Sequence, residues 1–246
     1  MKARCLMVIL LASILTGVLN NFKATAQSNT NFYLPIEQIL NRLTRNCASS
    51  VQVNYRSQKL MSSDRQNSVY IEATLTRSGR RGSRLVAGQC LDTNLETPVA
   101  TMIVETQTGV RRINLLSIPG SGSRIKNYHA ILHPVSWSSN NRYLILRIFY
   151  ISAPESSTNH LIIDSRNNYS PINVIPCANA PIGGELLGFR SPTVAVFECS
   201  GYGDPSYFES IDLQSRNIRR VNSAEARGRL QSYGRVSSRF QILSRP

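Results

Sequence analysis

The residues that could do chemistry in this chain of 246 are few and scattered. The three histidines are His129, His133 and His160. His129 and His133 stand four apart, a helical spacing, but they flank Ala130-Ile131-Leu132 and precede Pro134, which reads as extended chain. On a strand, positions i and i+4 share a face, so the pair would start a metal site there. It has no glutamate between its members and no third ligand, so no metal is expected. Serines are abundant, yet no Gly-x-Ser-x-Gly elbow occurs, and Gly120-Ser121-Gly122-Ser123 reads as a flexible loop. Gly201-Tyr202-Gly203-Asp204-Pro205 reads as a turn, with a short oxygen-rich ligand loop as its alternative. No phosphate-cradling loop or dinucleotide fingerprint is present. Acidic residues are dispersed singly, so spacing picks out no carboxylate pair for glycoside hydrolysis. No catalytic residue and no cofactor is expected, and enzymatic activity is left open.

Basic residues are the chemistry that remains. The chain has 28 Lys+Arg against 14 Asp+Glu, a net charge of +14. Arginines cluster at Arg77/Arg80/Arg81/Arg84, at Arg111/Arg112, and from Arg216 to Arg245. A guanidinium is a planar fork suited to carboxylate, phosphate and sulfate. Arg80, Arg81, Arg111, Arg112, Arg219 and Arg220 are the candidate binding residues, and an anionic envelope polysaccharide or a protein partner is the expected ligand.

The beginning of the chain bears on that choice. Lys2 and Arg4 precede an apolar run over residues 5–19, and Ala24-Thr25-Ala26 follows as a small-x-small cleavage pattern, the anatomy of a secretory signal peptide. The run is short for a membrane span, although an uncleaved N-terminal anchor is the alternative. Cleavage after Ala26 would remove Lys2, Arg4 and Lys23, leaving 25 basic residues against 14 acidic, or +11. Export to the periplasm or the extracellular space argues against nucleic acid, the partner that such a charge otherwise suggests. No transmembrane span is expected after cleavage. Cys47, Cys90, Cys177 and Cys199 would remain, an even number in an exported chain. They allow three pairings. Cys47–Cys90 and Cys177–Cys199 are favoured because each closes a local segment, worth roughly 3–4 kcal/mol in the chain-entropy picture.

The elements that must position these residues read as mainly β. After a polar leader over 27–32, Pro35 opens a helical pattern in which Ile36, Ile39, Leu40 and Leu43 share one stripe, with Glu37 early and Arg42 late. That stripe should lie on the β body. From Val51 onward, short apolar runs alternate with turn signals. They include Val51/Val53/Tyr55, Val69/Ile71/Ala73/Leu75, Leu85-Val86-Ala87, Ile113-Asn114-Leu115-Leu116, Tyr143 to Ile151, Val174-Ile175 and Val194-Ala195-Val196-Phe197. Asn222 and Glu225 have capping-box spacing for a second helix near 223–231. At the end of the chain Val236, Ser238, Phe240 and Ile242 alternate with period 2. They could pair with 51–55 and join the two ends of the domain.

Self-comparison shows a repeat of about 40 to 50 residues. Trp137-Ser138-Ser139-Asn140-Asn141-Arg142-Tyr143-Leu144-Ile145-Leu146, followed by Ile163-Asp164, corresponds to the stretch from Gly188-Phe189 to Val196-Phe197, followed by Ile211-Asp212. A weaker copy begins at Met61-Ser62-Ser63-Asp64. Each unit reads as an anchor, a tight polar turn, a long apolar strand, then a strand ending in an acid that can accept turn N–H groups. This resembles the repeat of TolB-type β-propellers, in which a blade carries Trp-Ser-Pro-Asp-Gly-Arg-x-Leu and a strand ending in Asp. The best match is residues 137–146 with Asp164, where Ser139-Asn140-Asn141 replaces Pro-Asp-Gly. The resemblance covers about 52–222 and implies about three blades, fewer than the four or more of a closed ring.

The expected organisation is a signal peptide (1–26), a leader with an amphipathic helix (27–50), and an all-β, antiparallel, propeller-like domain with a basic C-terminal segment (51–246). A β-sandwich is the alternative fold. The expected use is non-catalytic binding or scaffolding, with oligomerisation if the blade ring is incomplete. The alternative is a glycan-directed hydrolase without a recognisable motif.

Overall fold

Pro35 cannot donate a backbone hydrogen bond, so it stands where a helix needs no donor, directly before α1 (Ile36–Thr44). Ile39 and Leu43 point inward and are buried, as the spacing predicts. The carbonyls at the other end of α1 meet Arg77, which is 1% exposed. Its guanidinium donates to Leu43 O, Cys47 O, Asn46 O and Ser49 O at 2.5, 2.9, 2.6 and 2.7 Å. These facts come from a computed structural model that describes residues 34–86, 89–90, 93–120, 122–127, 129–151, 156–180, 182–201, 205–231 and 239–243. The expected signal peptide, the leader over 27–32, residues 202–204, and the alternating positions Val236 and Ser238 lie outside the described residues.

The strands fall into successive antiparallel meanders. The first contains β1 (Leu34–Pro35), β2 (Val51–Ser57), β3 (Leu60–Met61), β4 (Ser68–Arg77), β5 (Leu85–Val86), β6 (Gln89–Cys90), β7 (Leu95–Thr106) and β8 (Gly109–Asn114). A 3-10 turn (Leu115–Ser117) and α2 (Gly122–Asn127) lead to β9 (His129–Trp137), β10 (Tyr143–Ile151), β11 (Ser156–Asp164) and β12 (Ser170–Pro171). The last group is β13 (Gly183–Ser191), β14 (Val194–Ser200), β15 (Tyr207–Asp212) and β16 (Asn217–Val221), then α3 (Ser223–Ala226) and β17 (Arg239–Leu243). One sheet runs β1-β17-β2-β4-β7-β8, with β3 on β4. The other runs β16-β15-β14-β13-β11-β10-β9, with β12 on β11. Among the described residues neither path closes into a barrel. β5 and β6 form a separate ribbon.

The first and last of the described strands do meet. β17 pairs antiparallel with β2, Phe240 opposite Ser57 and Ile242 opposite Tyr55. Among the described residues the second and third meanders join through one parallel pair, Thr158 with Gly183.

Two cores explain the sequence pattern. Leu144, Leu146 and Ile148 of β10 pack with the first meander, together with Ile39, Val53, Ile71 and Met102. Tyr143 and Ile145, on the opposite face of β10, pack with Leu186, Phe189, Phe197 and Ile211 of the third. β10 is buried on both faces, so its sequence reads as a continuous apolar run. The two anchor residues divide in the same way, Trp137 in the first core and Phe189 in the second.

The repeat is visible in the hydrogen bonds of its turns. Ser62 donates to Asp64 Oδ1, and Gln66 N and Asn67 N donate back to Asp64 Oδ1 and Ser62 Oγ. Ser138 donates to Asn140 Oδ1, and Arg142 N and Tyr143 N donate back to Asn140 Oδ1 and Ser138 Oγ. The same backbone position is left-handed in both, Arg65 at φ 58° and Asn141 at φ 55°. The two turns touch through Ser63 Oγ and Asn141 Oδ1, 2.6 Å apart. The acids behave as the pattern suggests. Asp164 Oδ1 accepts Arg166 N at 3.0 Å, and Asp212 Oδ1 accepts Gln214 N and Ser215 N at 2.9 and 3.1 Å.

Some runs fold otherwise than expected. The run at 113–116 straddles the end of β8 and the 3-10 turn, because Asn114 Oδ1 accepts Leu116 N and caps that turn. Val174-Ile175 is not a strand, since Val174 N donates to Ile172 O and folds the segment back. The second short helix forms over Ser223–Ala226, with Asn222 Oδ1 accepting Glu225 N at 2.8 Å.

Candidate functional site

The outermost strands of the first and third meanders carry matching sequences. β8 holds Val110-Arg111-Arg112-Ile113, and β16 holds Ile218-Arg219-Arg220-Val221. Neighbouring side chains on a strand take opposite faces, so each pair splits. Arg112 approaches Glu72 Oε2 at 3.5 Å on one face of the first sheet. Arg111 donates to Asn168 Oδ1 at 2.5 Å and lies over the Tyr169 ring, toward the second meander. On β16, Arg219 pairs with Glu225, and Arg220 lies over the Tyr207 ring at 4.2 Å. Each outer strand therefore places one arginine on a carboxylate and one on a tyrosine.

Arg80 and Arg81 follow β4, where Arg80 N donates to Cys47 O. All six candidate arginines are exposed. Among the described residues, Arg80, Arg81, Arg111 and Arg220 have no carboxylate within ion-pair distance. β8 and β16 border different sheets, so the arginines occupy separate edges rather than one cluster.

The cysteines pair Cys47–Cys90 and Cys177–Cys199, each with Cα atoms 5.3 Å apart. Cys177, Cys199 and Glu209 crowd together, but both sulfurs are consumed by the disulfide. Glu209 Oε2 instead accepts Cys177 N at 2.7 Å, so the group braces the bond and offers no metal ligand set.

A second polar group lies inside. His133, Arg147 and His160 sit directly opposite one another on β9, β10 and β11. His133 Nδ1 lies 3.3 Å from Pro134 O, and its ring meets the edge of Phe240. His160 packs against the Phe197 ring at 5.1 Å. Burial, then the charge of Arg147, pushes the His133 imidazole down to about 4 and the His160 imidazole down to about 3. Both are neutral at ordinary pH. The pattern around His129 and His133 does not point to this row, because the partners come from other strands. A detectable signal is Arg147, the single charge within the apolar run of β10. His129 begins β9.

A cavity of about 560 Å³ opens beside β11. Ile118, Ile148, Tyr150, Leu161, Ile172 and Val174 line much of it. Asn159 turns its Oδ1 back onto His160 N at 2.7 Å. No carboxylate stands among the described lining residues. The acids lie elsewhere with partners of their own: Glu72 with Arg56, Glu105 with Lys59, and Asp164 with Arg142. Comparison with known protein families gives no match, and comparison with curated proteins gives none either.

Proposed function

We propose that the chain is an exported, non-catalytic binding or scaffolding module of three propeller-like blades. Its ligand is an anionic envelope component or an acidic protein partner. The observation that carries this reading is the arginine pair repeated on the two outer strands, β8 and β16, with Arg111 and Arg220 held in place by tyrosine rings. A guanidinium that is already positioned loses less freedom on meeting a carboxylate, phosphate or sulfate group.

The blade reading is supported by the stacked meanders, by the anchors Trp137 and Phe189 in successive cores, and by the matching turns at Ser62 and Ser138. It accords with the resemblance to TolB-type repeats. Export is supported by the two disulfides, which suit an oxidising compartment. No helix among the described residues is long and apolar enough to cross a membrane.

Co-sedimentation of the full chain with an anionic envelope preparation tests the reading. Binding should weaken steadily as salt is added, because exposed charges are screened. Binding that persists unchanged at high salt contradicts it.

A further inference from the structure

Arginine presents the edge formed by Nε and Nη2 as a two-pronged fork, and Arg142 and Arg56 each fill it with a carboxylate, whereas Arg147 fills one prong only. Arg142 places Nε and Nη2 on Asp164 Oδ2, at 3.2 and 2.9 Å. Arg56 places both on Glu72 Oε1, at 3.0 and 2.6 Å. Arg147 gives Nη2 to Glu185 Oε1 at 3.0 Å, but its Nε is buried without a partner among the described residues. Opposite it, both ring nitrogens of His160 are buried and equally unpartnered, and the residue is 4% exposed.

The two side chains are close neighbours. Thr158 N donates to Ile182 O and Ile162 O accepts Ile172 N, so these residues turn their backbone groups away from β10. His160 and Arg147 therefore form a non-hydrogen-bonded pair, the type in which opposite side chains approach most closely. Buried donors left unpaired in this way are uncommon in folded proteins. Glu185 is a loose cover, its side chain 66% exposed against 20% for Arg147.

We infer that Arg147 and His160 form a binding site for a small oxyanion (a carboxylate, phosphate or sulfate group) that Glu185 covers and half mimics in the free protein. The ligand displaces Glu185, sets two oxygens on Nε and Nη2 of Arg147, and accepts an N–H from His160. Its charge favours the imidazolium form of His160, so binding takes up a proton and tightens as pH falls. The groups facing His160 are Arg147 of β10, His133 of β9 and the uncharged Phe197 ring of β14. Glu185 on β13 faces Arg147, and Phe240 on β17 faces His133. The site is separate from the arginines of β8 and β16 and stands whether or not they bind.

The test is a titration of the full chain, labelled with 15N-histidine, with acetate, phosphate and sulfate in turn. The His160 ring resonances should move saturably toward imidazolium values, at lower ligand concentration at about pH 5.5 than at about pH 6.5. E185Q should bind about fivefold more tightly, since the ligand no longer displaces a carboxylate. R147Q should lose the response. The most effective anion identifies the ligand chemistry. The inference is overturned if no anion moves His160 in either the wild type or E185Q, or if R147Q responds like the wild type. Glu185 is exposed, so E185Q keeps its fold and carries the test if R147Q does not fold.

Discussion

Arg77 is a buried cation whose four hydrogen bonds all go to carbonyls at the end of α1 and in the turn after it. Helix ends leave such carbonyls without partners, and their partial negative charge suits a guanidinium. Burial lowers the pKa of Arg77 from its ordinary value, but arginine titrates so high that the charge stays. Arg77→Met fills the space and leaves the carbonyls unmet. It should cost about 3–5 kcal/mol in urea unfolding, whereas a loss below about 1 kcal/mol would show that water replaces the guanidinium. The buried histidines set a different, pH-dependent contribution. Their folded pKa values, about 4 for His133 and about 3 for His160, lie below the unfolded value. The unfolded chain therefore binds more protons once pH falls below about 6.5. Stability is full above that point and declines as pH falls toward the folded values, by on the order of 1.4 kcal/mol per pH unit for each histidine. Asp164 acts lower on the scale. Burial alone would raise its carboxyl, but hydrogen bonds from Arg142 and from Arg166 N outweigh burial and hold it below the usual range. Its contribution is present above about pH 4 and is lost below that. Urea midpoints measured from neutral pH down to about 5.5 keep clear of the carboxylates and isolate the histidines, and His160→Phe should remove about half of the slope. An unchanged slope would mean that His160 is protonated in the fold.

Close approach of backbones matters most where the second and third meanders meet. Gly183 has φ +92°, and a Cβ placed there would lie 1.7 Å from Thr158 O. At Gly184 a Cβ would lie 2.2 Å from Cys177 Sγ. The sequence marks this pair only as a turn signal. The need for glycine comes from Thr158 on β11, which is remote in the chain, and from the Cys177–Cys199 disulfide that brackets the pair. Gly183→Ala should break the single parallel joint and destabilise the protein by about 2–4 kcal/mol, read as a lowered urea midpoint. A change within about 0.5 kcal/mol would show that the joint carries no stability. Other elements are legible directly. β10 is apolar because both of its faces are covered, and α1 shows its stripe because only one face is. β17 is legible in half of its alternation, as Phe240 is fully buried against Tyr55 and His133. The run at 113–116 misleads because apolar side chains continue past the strand into the 3-10 turn, where a cap rather than periodicity ends the ladder. Val174 misleads for the reverse reason, being buried against the second core without belonging to a strand.

At the scale of the whole molecule, net charge is resolved into compensated and uncompensated parts. Arg56, Arg142, Arg147, Arg190 and Arg219 are matched to carboxylates, whereas Arg80, Arg81, Arg111 and Arg220 have none within ion-pair distance among the described residues. Composition shows the excess, and clustering in the sequence shows where arginines are dense. Neither shows that the pairs on β8 and β16 occupy equivalent outer strands, because that depends on the order of strands in two sheets. The inner row of Arg147 and His160 is less legible still, since its members are brought together by cross-strand register. Arginines on an edge strand also keep it from pairing with other chains. Affinity and its salt dependence decide. The most direct measurement is binding of the full chain to a sulfated polysaccharide across a range of salt, beside a variant carrying R111Q, R112Q, R219Q and R220Q. Binding by the outer strands predicts a wild-type affinity that drops by about tenfold or more for an about fourfold rise in salt, and a variant that binds weakly with little salt dependence. Wild-type binding indifferent to salt, or a variant that binds as the wild type does, would contradict it.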